Sequence, residues 1–374
     1  MRAASSEPIA PACAAALAGV PAFVVTCVMA CMLAGCASTP GVVFEKPAHD
    51  LAWPPPPDAP RVRFVGQIRS ATDLKPARSA GTALGEFLFG KEDTPGMVSP
   101  IGVCTDGADR VFIADSNAQV VHVFNLKTRR YEQWIPQKPM PHFVQPVAVA
   151  YDSVGAGAGP RVLVSDPAAG AIFVFDGRGA CSGTMGIGTL RRPCGLAVTA
   201  DGITVADVDA HQVVFLDRRG AEVARLGSRG RDDGRFNFPT YVAYDSAGRL
   251  YVSDSLNFRV QVFAQDHAFL RSIGSKGDMP GYFSQPKGIA LDPEDHLYVL
   301  DANFEAVQVF NTQGQLLMTF GSEGKNPGEF WLPAGLFADA SARLWVADTY
   351  NRRVQVFEYT GALAGAQDSA GGEP

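Results

Sequence analysis

A unit of 46 or 47 residues recurs six times in this chain, and that periodicity constrains the fold more than any other feature. Each copy opens at a proline: Pro100, Pro146, Pro193, Pro239, Pro286 and Pro333. Each has an aspartate closing its second apolar run: Asp115, Asp166, Asp207, Asp254, Asp301 and Asp348. Aliphatic residues stand four and two positions before every one of these aspartates. Another stands six positions after it, and Phe or Leu follows at nine. Period-two alternation of this kind marks strands. About four short strands per period of this length is the pattern of a propeller blade.

The expected fold is therefore all-β: a six-bladed β-propeller of four-stranded blades over residues 61–360. Fourth strands are expected at Glu222–Leu226, Phe269–Ile273 and 315–320. Repeat 2 is lengthened by the glycine-rich loop 153–160. The last repeat has no good fourth strand after Phe357, whereas residues 61–68 alternate as a strand with no repeat of their own. This N-terminal strand is expected to supply the outer strand of the last blade, since a closed ring leaves no unpaired end. Residues 83–89 suggest a short helix, and 361–374 read as a disordered tail.

Three of the copies, at 239–263, 286–310 and 333–357, follow the pattern P-x-G-I/L-A-x-D, then L-Y/W-V-A-D-T/S-x-N-x-R-V-Q-V-F. The first and last carry Asn257 with Arg259 and Asn351 with Arg353 in its N-x-R portion. These motifs resemble the NHL repeat. The resemblance implies a propeller that serves as an interaction module. Similar six-bladed propellers include lyases and lactonases that hold a metal in the central channel, which keeps an enzyme in view. Repeats 1 to 3 depart most from the pattern.

Ahead of the repeats, residues 14–35 are nearly all apolar and small, ending in Leu33-Ala34-Gly35-Cys36. That ending resembles a bacterial lipobox and implies a signal peptide at 1–35 with lipidation of Cys36. Pro21 and the small residues before Cys36 argue against a membrane-spanning helix. Ala37 after the cysteine fits sorting to the outer membrane, facing the periplasm. Residues 36–60, with four consecutive prolines at 54–57, read as a stiff tether. The remaining cysteines, Cys104, Cys181 and Cys194, fall at unlike positions and suggest neither a disulfide framework nor a metal pair.

The net charge of −6 offers no basic surplus for a nucleic acid. The six repeat aspartates read as turn-capping residues, and Phe143, Phe236, Phe283 and Phe330 as a shared packing slot. The histidines follow no ligand spacing. His122 stands where other repeats have Gln261, Gln308 and Gln355, which suggests an exposed strand position. His211 beside Asp209 is the one weak metal candidate; no cofactor is expected otherwise, with Ca or Zn implied only if the enzyme reading holds.

Function on a propeller belongs to loops, because the strands are committed to packing. The loops leading into each first strand and the turns after each aspartate should share one face. That face would carry Arg191, Arg192, Arg229, Arg231, Arg235, Gln285, Asn303, Trp331 and Tyr350. Exposed aromatics with arginines have the composition of an interface. The expected partner is an envelope protein, peptide or glycan.

Overall fold

In the computed structural model, residues 39–44, 50–77, 96–157 and 159–361 are described. The signal peptide, Cys36, the 83–89 helix and the tail from 362 on lie outside these residues. Among the described residues no helix is long and apolar enough to cross a membrane.

The strands form six antiparallel sheets, one per repeat. Blade 1 runs Pro100–Thr105, Arg110–Asp115, Val120–Asn125 and Arg130–Trp134. Blades 2 to 5 repeat this meander up to Leu316–Phe320. The first strands pack on one another around the axis, and the fourth strands form the rim. Burial follows position in the blade. The second strand of blade 4, Leu250–Asp254, is buried at every residue, whereas its rim strand, Phe269–Ile273, alternates buried and exposed. Alternation in exposure is thus a rim property; the middle strands, covered on both faces, are buried almost throughout, polar residues such as Ser253 and Gln261 included.

Blade 6 closes the ring as expected. Its strands Gly335–Ala338, Arg343–Asp348 and Arg353–Tyr359 are completed by Val62–Ile68, antiparallel to the third. Each sheet buries its faces against both neighbours in apolar clusters, wholly non-aromatic between blades 2 and 3 and mixed aliphatic–aromatic elsewhere. The expected phenylalanine slot is present: Phe143 is 3% exposed and Phe236, Phe283 and Phe330 are fully buried. The glycine after the fourth strand explains the slot. At Gly274, with φ of 77°, a Cβ would lie 2.2 Å from the Phe283 ring, so only glycine lets the ring lie flat against the chain.

The proline-rich segment is not a free spacer throughout. Ala52–Trp53 pairs with Val62 and Arg63, making a fifth strand on blade 6. The prolines occupy the turn between the two strands. Arg61 N donates to Trp53 O at 2.7 Å and Phe64 N to Leu51 O at 2.9 Å. Trp53 packs on Phe320 and Phe357, toward blade 5. Phe44 packs on Trp345 within the cluster shared with blade 1, in a slot that Gly66 leaves open. The N-terminal segment thus grips both faces of the closing blade. Replacing Trp53 by Ala should lower stability in urea unfolding by about 3 kcal/mol, the cost of removing a large packed aromatic. A loss within error of zero would show that the segment is only draped on the surface.

Candidate functional site

Each repeat aspartate has no exposed surface, and a buried carboxylate needs its lone pairs filled. In blades 1, 2, 3 and 5 it accepts two successive backbone N–H groups from the loop that leads into its own first strand. Asp115 takes Val98 N and Ser99 N at 2.6 and 2.9 Å; Asp207 takes Arg191 N and Arg192 N at 2.9 and 2.8 Å. The turn expected from the sequence is therefore only part of the role. Each aspartate also staples a loop sixteen or so residues upstream onto the face.

Blades 4 and 6 use the carboxylate differently. One oxygen of Asp348 takes Trp331 N at 2.8 Å, while the other takes Asn351 Nδ2, Arg353 Nε and Gln355 Nε2 at 2.9, 2.7 and 3.0 Å. The same set surrounds Asp254. The guanidinium then holds the preceding loop by its carbonyls, as in Arg353 Nη2 to Asn326 O and Glu329 O. This is the physical content of the N-x-R motif. The displaced second N–H turns outward to the previous blade: Phe238 N donates to His211 Nδ1 at 3.2 Å, and Leu332 N to Glu305 Oε1 at 3.1 Å.

That contact engages His211. It is buried, edge-on to Phe238, and clasps blade 3 to blade 4. Asp209 lies at 3.6 Å from Arg192 instead. Among the described residues no group of three or more His, Cys, Asp or Glu could hold a metal. His122 corrects the sequence reading. It is 1% exposed, with Nε2 3.1 Å from Asp115 and Nδ1 2.8 Å from the Tyr131 hydroxyl. The glutamines it aligns with are equally buried, so the position was recognised but its environment was not. Burial alone would raise the Asp115 carboxyl; the bonds from His122 and three backbone N–H groups outweigh it and hold the carboxyl below its usual range. Cys104, Cys181 and Cys194 are free thiols, and burial pushes Cys194 up to about 12.

The stapled loops and the turns after the aspartates lie together, as in Tyr350 N to Trp331 O at 3.2 Å. On this face the candidate residues separate into two groups. Trp331 and Tyr350 of blade 6 are 38% and 57% exposed with ring centroids 5.6 Å apart, and Lys325 Nζ sits 4.7 Å over the indole. Val98 and Val144, at the equivalent loop position in blades 1 and 2, are 44% and 52% exposed and extend an apolar arc. Sequence reasoning passed over both valines, which look like strand residues until the loop is seen. Arg191, Arg192, Arg229, Arg231 and Arg235 are exposed on blades 3 and 4, across the ring from blade 6. Arg192 and Arg235 face Asp209 and Asp232 at 3.6 and 3.7 Å. Gln285 and Asn303 of blade 5 are part of the staple: Gln285 N donates to Asp301 and Asn303 Nδ2 to Ser284 Oγ.

The central channel is a separate space of about 260 Å³, lined by the first strands of all six blades. Its side chains are aliphatic or neutral polar, with Tyr151, Tyr241, Tyr244 and Phe337 the largest. Among the described residues no His, Asp or Glu lines it, so the donors that a channel metal would need are not among these residues.

Residues 236–263, in blade 4, match the NHL repeat family. The fold is similar to virginiamycin B lyase from Staphylococcus aureus, at 14% identity over 70% of this chain and 96% of that one, with a TM-score of 0.51. It is similar to an auxiliary nutrient binding protein from Bacteroides thetaiotaomicron, at 12% identity over 71% and 70%, TM-score 0.56. A gluconolactonase from Xanthomonas campestris matches at 16% identity over 87% and 100%, TM-score 0.54. At these identities the likeness is one of fold.

Two variants test the division of labour among the aspartates. Asp348→Asn should cost about 3–5 kcal/mol, because it strips the charge facing a fully buried Arg353. Asp301→Asn, whose carboxylate is hydrogen-bonded only by backbone N–H groups, should cost about 1–3 kcal/mol. Equal losses in urea unfolding would refute the distinction. On the opposite face, the Asp292 hydrogen bond raises His296 above its ordinary 6.5. Its stabilisation is complete below pH 6.5 and is lost as pH rises through the raised folded value. Melting temperatures of the wild type and His296→Gln should therefore converge across that upper range; a constant gap would refute the linkage.

Proposed function

We propose that the protein is a non-enzymatic binding scaffold that holds an envelope protein or peptide, or an envelope glycan, on the loop face of its propeller. The observation that carries this reading is the solvent-facing Trp331–Tyr350 pair with Lys325 over the indole, on loops that buried aspartates hold rigid. Exposed aromatics on a preorganised surface lose little conformational entropy when a partner docks. The apolar arc from Trp331 through Val98 to Val144 suits the apolar side of a ligand, and Arg191, Arg192 and Arg231 suit an acidic stretch reaching across the ring. In this reading Cys36 carries lipid, which anchors the scaffold in the bacterial envelope, at the outer membrane and facing the periplasm. No nucleic acid is a partner, since the acidic chain supplies no phosphate-neutralising surface.

The rival is a lyase or hydrolase with a metal in the channel, and the named neighbours include enzymes as well as a nutrient-binding protein. Fold does not decide between these. The absence of His, Asp and Glu from the channel lining favours binding.

A photo-crosslinking side chain placed at Tyr350 in living cells should capture a discrete species that one placed at Ser246, on the opposite face, does not. Trp331→Ala should weaken that capture at least several-fold. Equal capture from both faces, or indifference to Trp331→Ala, would sink the choice of surface. Separately, Cys36→Ser should leave the chain unlabelled by radioactive palmitate; undiminished labelling would refute the anchor.

A further inference from the structure

The six blades are built from shared parts, so a part missing from one blade shows where that blade differs. Three residues before each repeat aspartate stands a side chain that fills the space toward the next blade. In five blades it is large: Phe112, Leu163, Tyr251, Tyr298 and Trp345. Directly opposite on the third strand stands a valine in each case. Blade 3 reverses the pair, with Thr204 opposite Phe215. The aromatic bulk is moved outward by one strand, about 4.8 Å, and the space behind it is left unfilled.

A second part is missing from the same place. Two residues earlier, blades 1 and 2 have Arg110 and Arg161, which reach across to carbonyl oxygens in the next blade's outer turn, Gly177 O and Arg218 O, both at 2.7 Å. Blade 3 has Gly202, which sends nothing to blade 4. Thr204 and Gly202 both line a recess of about 460 Å³ between blades 3 and 4. It opens at the turns joining strands 1 to 2 and 3 to 4, and so on the face opposite the loop face.

The walls of the recess are specific. Phe215 and His267 stack at 4.1 Å with an interplanar angle of 16°, making a flat aromatic side. Thr204 Oγ1 and the Tyr244 hydroxyl bond to each other at 2.8 Å across the inner end. At the rim, the Asp201 carboxylate, the Gln265 amide and the ring nitrogens of His267 have no hydrogen-bond partner among the described residues. The volume falls in the usual range for small-molecule sites, roughly 300–1,000 Å³.

We propose that this recess binds a neutral sugar ring. A pyranose has a C–H face that lies on a flat aromatic wall and hydroxyls at its edge. A carboxylate accepts hydrogen bonds from two adjacent hydroxyls, an amide and an imidazole complete the edge, and the one unpaired charge, Asp201, repels an anionic ligand. This site is independent of the loop-face reading and stands or falls without it.

The test is saturation-transfer NMR on the purified protein with D-glucose, D-galactose and N-acetylglucosamine, with glucuronate and glucosamine as charged ring controls. At least one neutral sugar should show saturable binding, with the strongest transfer to ring C–H protons. Thr204→Phe would place a ring against Tyr244 as Phe112 of blade 1 stacks on Tyr151 of blade 2, with rings 6.1 Å apart at 11°. It should keep or raise the melting temperature while weakening binding at least tenfold. His267→Ala removes the flat wall from a surface turn and should weaken binding similarly, which keeps the test decisive if the first variant folds poorly. Absence of saturable binding by any neutral sugar, preference for a charged ring, or unchanged binding in His267→Ala would each overturn the proposal.

Discussion

Six carboxylates, none with exposed surface, organise this molecule. An ionised aspartate in such a place is a heavy cost unless every lone pair is engaged, and here the engagement is made with the loops. Whatever satisfies the aspartate also holds the loop-face backbone. The ends of the blades, usually the loosest part of a β-protein, become as well determined as the strands. Where the carboxylate must also serve an arginine and a glutamine, as at Asp254 and Asp348, one backbone donor is passed to the neighbouring blade through His211 or Glu305. The carboxylates thereby join the blades to one another as well as shaping each one.

Periodicity made the fold legible. Pro, Asp, Val and Phe at fixed offsets specify strand, turn and packing slot, and six copies exclude chance. The N-terminal strand was legible for a related reason: one blade lacked a strand and one strand lacked a blade. What could not be read was environment. His122 aligns with three glutamines, but a lone alignment column does not say whether it is buried. The prolines at 54–57 suggest an extended rod, yet Trp53 has an aromatic slot on blade 6 to fill, and packing overrode the local preference. That the entry loops and the turns after the aspartates lie together followed from the repeat order, while the placement of Arg191, Arg192 and Arg231 away from Trp331 depended on the order of blades around the ring.

Shared parts of a repeat do structural work, so recognition falls to the exceptions. Two exceptions are concentrated here. Blade 6 places the aromatics Trp331 and Tyr350 where no other blade has an aromatic residue, and blade 3 exchanges a large side chain for a small one at Thr204. They lie on opposite faces, so a molecule at one would not obstruct a molecule at the other.

The pairing of Val62–Ile68 with Arg353–Tyr359 also sets an order in time. Gln67 Oε1 accepts from Arg353 Nη1 across 286 residues of chain. Val62–Ile68, made before any other blade strand but its neighbour Ala52–Trp53, must wait with one edge unpaired until Arg353–Tyr359 has been made. The ring therefore cannot be completed until the chain has been made through Tyr359, and until then the sixth sheet stays open at that edge.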